Sequence, residues 1–169
     1  MRFEGPAYRG HNPKWSFAPT SGAGAAIHGG RFNPKGVPAL YLALTPQGAF
    51  LEATQGFAYK FNPLTLVSYT IDCADIVDLT DPAGEIEDAG TLMATPWAYA
   101  LASGKRPDSW QIYDRLHATH AGVIVPSFAV GAEPFMRNLV LWRWSDTGPH
   151  RVAVHDPHAL LPRDQASWT

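Results

Sequence analysis

The 169-residue chain predicts a single α+β domain, central strands with flanking helices, on three observations. Short strand-like runs outnumber helix-like ones. No regular strand–helix–strand alternation orders them, which argues against a doubly wound parallel sheet. The composition is that of a chain able to bury a core, with six Trp, six Tyr and eight Phe. No internal repeat and no linker divides residues 1–169, so the whole chain is read as one unit.

The elements follow in order. Residues 1–38 are rich in Gly, Pro, Ser and Asn and read mostly as loop, with a short strand around Ala7–Arg9. ALYLAL (39–44) is a short apolar run between Pro38 and Thr45-Pro46, hence a strand. Thr45 then serves as a helix N-cap and Pro46 as the first helical residue. That helix runs to about Phe57, with Ala49, Phe50, Ala53 and Phe57 on one face. LVSYTID (66–72) alternates as a strand does. DPAGEIEDAGTLMAT (81–95), acidic and Gly-punctuated, reads as a surface connection, with a substrate-covering loop as the alternative. Thr95-Pro96 repeats the cap signature before WAYALA, and Gly104 supplies a stop. Asp108 or Ser109 caps a further helix through about His120. AGVIVPSF (121–128), NLVLWRW (138–144) and RVAVH (151–155) complete the strands. The tryptophans at 97, 110, 142 and 144 are expected in the core or at an interface.

Charge and cysteine content narrow the function. The net charge is −2 and no block of Lys/Arg occurs, so direct nucleic-acid binding is not expected. One cysteine, Cys73, cannot form an internal disulfide, which suits a reducing cytoplasm. MRFEGPAYRG lacks the apolar core of a signal peptide, and no apolar run approaches membrane-spanning length. A cytoplasmic protein is expected. SGAGAAIHGG (21–30) has a GxG, but Ile27 takes the next glycine position and no strand precedes it, so a loop at a pocket mouth is preferred to a dinucleotide-binding turn. His117 and His120, and His155 and His158, lack an evident third ligand, so no metal is expected. Ser127 lacks the G-x-S-x-G setting of a hydrolase nucleophile.

Chemistry concentrates in GGRFNPKGVPALYLALTPQGAFLEA (29–53). Strand alternation sends Leu40, Leu42 and Leu44 to one face and Tyr41 and Ala43 to the other. Tyr41 is then either a floor for a flat ligand or part of a second core layer. Glu52 sits on the following helix, off its apolar face. It is either a solvated surface charge or a carboxylate projected over the sheet toward Tyr41. Arg31 occupies a tight loop between two glycines and Asn33-Pro34, where a guanidinium can be aimed at a phosphate. Arg9, in AYRG, is a second arginine of that kind. Together these side chains match what cleavage of a nicotinamide dinucleotide needs. An arginine answers the pyrophosphate, an aromatic ring receives the cationic nicotinamide, and a carboxylate stabilises the cation that grows on the ribose.

AYRG (7–10), the 29–53 block and VPSFAV (125–130) carry a resemblance to the RES domain, the toxin half of bacterial RES–Xre toxin–antitoxin pairs. Asn138 and HDPHALLP (155–162) also look familiar. The resemblance implies a fold similar to ADP-ribosyltransferase toxins, with NAD+ as substrate and no further cofactor. It implies Arg9, Arg31, Tyr41 and Ser127 in the NAD+ pocket, and Glu52, with Arg31 and Tyr41, as the catalytic set. Ser127 by itself reads as a strand-end hydroxyl; under the resemblance it hydrogen-bonds to ligand or loop. An Xre-type antitoxin is the implied partner, and ADP-ribose passes to a protein, to water or to phosphate. Phe32 stands where the family commonly has Trp, and residues 81–120 carry no transferable motif. The competing reading is a module that holds a nucleotide or a partner without turnover.

Overall fold

The structure, a computed structural model, describes residues 1–55 and 62–166. Its strands are β1 (Phe3–His11), β2 (Leu40–Ala43), β3 (Thr65–Cys73), β4 (Ile76–Asp78), β5 (Gly122–Pro126), β6 (Arg137–Leu141) and β7 (His150–Val154). Its helices are α1 (Ala23–His28), α2 (Pro46–Thr54), α3 (Ala89–Ala94), α4 (Trp97–Ala102) and α5 (Trp110–Leu116). The seven strands form one sheet in the order β4-β5-β6-β2-β1-β3-β7. Neighbours are antiparallel except β4 and β5, which are parallel. The α+β class is therefore the observed one.

Pleating divides the apolar residues between two cores. On one face Val77, Val123, Val125 and Val140 meet Leu92 and Met93 of α3 and Ile112 and Leu116 of α5. On the other, Leu40, Leu42, Ile124, Leu139 and Leu141 join Ala7, Val67, Tyr69, Ile71 and Val152. No helix residue belongs to this second cluster. Its residues come from both the β5–β6–β2 and the β1–β3–β7 parts of the sheet. Leu139 lies fully buried between β2 and β5. Leu139→Ala is expected to lower unfolding stability by about 2–5 kcal/mol, read as a reduced denaturation midpoint at unchanged slope.

Local signals account for much of the outline. Thr45 Oγ1 accepts from the Gly48 N–H at 3.0 Å and Pro46 opens α2, as the cap signature requires. Gln55, in the left-handed conformation at φ 48°, caps the helix at its end. The expected continuation to Phe57 lies outside the described residues.

Several expectations are corrected. Thr95 does not cap the helix after it: its hydroxyl donates to Leu92 O at 2.9 Å and so closes α3, leaving α4 without a side-chain cap. The Ser109 hydroxyl likewise leaves its own helix uncapped and donates to Arg31 O at 2.6 Å. The helix after it ends at Leu116, short of His120. The 81–95 stretch is no simple surface connection, because Ile86, Ala89, Leu92 and Met93 enter the first core. Residues 23–28 of the glycine-rich opening are helical, not loop. In both segments a few apolar side chains find tertiary cover that composition does not show. Among the described residues no helix is long and apolar enough to cross a membrane.

Candidate active site

The site begins where β1 and β2 part. β1 pairs with β3 along its whole length, but with β2 at Tyr8↔Ala43 alone. Beyond that pair the strands splay, and a cavity of about 180 Å³ opens between them and α2. Arg9, Gly10, Tyr41, Glu52 and Asn138 help line it. Gly10 is needed for the close approach of helix and strand, since a Cβ there would lie 2.8 Å from Ala53 Cβ. A second cavity of about 410 Å³ shares Tyr41, Glu52 and Asn138, and adds Arg31, Trp97 and Phe128. Glu52 and Tyr41 thus stand on the wall common to both.

Strand register brings the carboxylate its partners. Tyr41 pairs with Val140, Ala43 with Asn138, and Asn138 with Val125. Asn138 therefore projects from the same face as Tyr41, and Ser127, two residues past Val125, continues that parity. From there Ser127 Oγ donates to Glu52 Oε1 at 2.8 Å and Asn138 Nδ2 donates to the same oxygen at 2.6 Å. Glu52 Oε2 carries no hydrogen bond from the described residues. One oxygen is held, on an exposed carboxylate that lines both cavities. Asn138 Oδ1 is buried and, among the described residues, has no hydrogen-bond partner.

Tyr41 answers both readings of its position. Its ring packs against the first core and also lines the two cavities. Its hydroxyl donates to Asn33 Oδ1 at 2.7 Å and accepts from the Phe32 N–H at 3.0 Å. Burial raises its pKa, with the Phe32 amide and Arg31 opposing, so the phenol stays neutral at ordinary pH.

The arginine loop is clamped from three sides. Gly30 O accepts from Trp110 Nε1 at 2.7 Å, Arg31 O from Ser109 Oγ at 2.6 Å, and Phe32 O from Trp142 Nε1 at 2.9 Å. Asn33 Nδ2 donates to Ala25 O and Val37 O, both at 2.9 Å. Gly30 is fitted to this network. A Cβ there would meet Asn33 Oδ1 and Tyr41 Oη, each at 2.6 Å. Gly30→Ala is expected to break the Tyr41–Asn33 bond and lower stability by about 1–3 kcal/mol, visible as a drop in Tm with faster amide exchange at Phe32.

Arg31 Nη1 donates to Met93 O at 2.7 Å and Thr95 O at 3.2 Å, and the guanidinium lies 4.0 Å over the Phe128 ring. Part of the fork thus holds the α3–α4 turn, while Nε and Nη2 make no hydrogen bond to the described residues. Burial lowers the Arg31 pKa, while Glu52 and Tyr41 act to raise it. Arg9 alternates away from Tyr8, toward His11 and Tyr69. It donates to Ser21 O at 3.4 Å, and burial lowers its pKa.

The structure brings Glu52, Tyr41, Ser127 and Arg31 around one cleft, with Arg9 at its far edge. Sequence reasoning gave no role to Asn33, Ser109, Trp110 or Trp142 in holding the arginine loop, and none to Asn138 beyond a likeness. In RNLVL (137–141) the one available signal for Asn138 was a polar residue opening an otherwise buried apolar strand. Among the described residues no group of three or more His, Cys, Asp or Glu could hold a metal.

An α+β domain with a pinned carboxylate between an arginine loop and a tyrosine is the class that fold and site define. The RES domain family model matches residues 6–164, and the chain belongs to that family. Among solved structures, a chain of the crystal structure of the M. tuberculosis MbcT–MbcA toxin–antitoxin complex has a similar fold. It aligns with a TM-score of 0.56 at 23% identity, over 92% of this chain and 84% of that one. No curated protein matches the chain.

Proposed function

We propose that the chain is the toxin of a toxin–antitoxin pair and that it cleaves the nicotinamide–ribose bond of NAD+, passing ADP-ribose to an acceptor. The observation that carries this reading is the Glu52 carboxylate. Ser127 and Asn138 hold Oε1 of a carboxylate that lines one cleft with Tyr41 and Arg31. In the reaction the C–N glycosidic bond breaks and its electron pair stays on the nicotinamide nitrogen, which loses its positive charge. The ribosyl carbon becomes cationic, and Glu52 stabilises it. Water, phosphate or a protein nucleophile then bonds to that carbon and gives up a proton. No metal is required, since the leaving group is already cationic.

Family membership and the likeness to a chain from a toxin–antitoxin complex support an antitoxin as the partner. Phe128 and Val130, exposed on the wall of the larger of the two site cavities, offer such a partner an apolar surface. Incubation of the chain with labelled NAD+ and a cell extract tests the reading. Free nicotinamide with or without a labelled protein band supports it and separates depletion from transfer. Intact NAD+ would refute it.

A further inference from the structure

The C-terminal end of α2 breaks two local rules at once. A helix that closes on a left-handed residue ends best on glycine, because a Cβ there crowds the following carbonyl. Gln55 fills that position at φ 48° and ψ 38°, its N–H donating to Leu51 O at 2.9 Å. Negative charge is also unfavourable in the last turn, where the helix dipole is itself negative. Yet Glu52 lies in that turn, and no basic residue accompanies it. Stability alone would choose a glycine and a cation at these two places. Such rules are broken where a site needs the side chain more than the helix needs the best terminus.

Gln55 stands three residues after Glu52, and both line the 410 Å³ cavity with Arg31, Tyr41 and Trp97. Residues at that spacing along a helix are neighbours on its surface. The amide is neutral, so it sets no charge against the carboxylate, and it can both donate and accept. Among the described residues the Gln55 side chain makes no hydrogen bond, which leaves both capacities to a ligand.

We propose that Gln55 is a specificity-determining residue of the cleft. Its amide hydrogen-bonds the hydroxyls of the sugar whose glycosidic bond Glu52 addresses, and so sets that ring against the carboxylate. A sugar hydroxyl both donates and accepts, as the amide does, so the two pair without a charge. The ribose hydroxyls sit on the ring carbons that follow the anomeric one, which matches an amide one helical turn beyond the carboxylate. A site built to hydrogen-bond a hydroxyl discriminates against a ligand that lacks it, because the amide is then left unpaired. The proposal rests on the reading of the chain as an NAD+-cleaving enzyme, but binding of ADP-ribose, which carries the same sugar, tests it separately from cleavage.

Two variants separate the side chain from the backbone. Gln55→Ala keeps the left-handed strain and removes the amide, whereas Gln55→Gly removes both. Each is expected to bind ADP-ribose about tenfold more weakly than the parent, and to lower kcat/KM for NAD+ by a similar factor. Gln55→Gly alone is expected to raise Tm, by about 2–4 °C. A parent that binds no ADP-ribose, or a Gln55→Ala variant with the parent's affinity for it, overturns the proposal. Gln55→Gly that melts at or below the parent's temperature overturns the claim that glutamine is held there against local preference. If Gln55→Ala weakens ADP-ribose binding while NAD+ stays intact even with the parent, the sugar contact stands and the cleavage reading falls.

Discussion

Replacing Glu52 with glutamine is expected to leave the chain folded and to cut nicotinamide release from NAD+ by about 10²–10³-fold. The amide oxygen of glutamine can accept from Ser127 Oγ and Asn138 Nδ2 as Oε1 does now, so the local network survives. What is lost is the negative charge at the position of Oε2. Developing charge on the ribosyl carbon then meets the dipole of an NH₂ group instead of a carboxylate, and a fixed charge already in position needs no reorganisation as the cation forms. Time-resolved assay of free nicotinamide, with the melting temperature as control, reads both parts. Equal release by mutant and parent would remove Glu52 from the mechanism and leave the binding-module reading.

Arg31→Ala is expected to act twice. It removes a cation from the cleft, raising KM for NAD+ about tenfold or more through the lost phosphate contact. It also unties Met93 O and Thr95 O, which share Nη1, and uncovers the Phe128 ring, costing about 1–3 kcal/mol of stability. The two effects separate experimentally. Steady-state kinetics read the first, and hydrogen exchange at residues 93–97 together with a thermal melt reads the second. Arg31→Lys keeps a charge but not the fork, so it is expected to recover part of KM and little of the turn. An unchanged KM with a loosened turn would make Arg31 an anchor alone.

Family membership bears on how the chain's activity would be restrained. A cleft whose rim exposes Phe128 and Val130 is suited to being covered, and covering it would hide Glu52, Tyr41 and Arg31 together. The arginine loop needs no partner to take its shape. Trp110, Ser109 and Trp142 already hold three successive carbonyls. A preformed loop of this kind avoids the entropy of ordering it when substrate arrives.

The amino-acid order by itself determined the local pieces. Alternation in ALYLAL set Tyr41 opposite the leucines, and Thr45-Pro46 placed the start of the helix that bears Glu52, because pleat and cap are decided by neighbours in the chain. The α+β class followed from the same kind of count. Where local signs misled, a long-range demand had won: the hydroxyls of Thr95 and Ser109 look like caps, yet one closes the helix before it and the other reaches Arg31 O, 78 residues away. The short helices at 23–28 and 89–94 were missed for a related reason, since helices of one or two turns owe their stability to packing more than to propensity. Only the tertiary structure decided what holds Glu52. Ser127 lies 75 residues from it and Asn138 lies 86 away, and they arrive through the register of β5 on β6 and of β6 on β2. Register is a property of strands meeting across the sheet, where a slip of one residue would turn both donors to the opposite face, so no stretch of sequence read alone contains it.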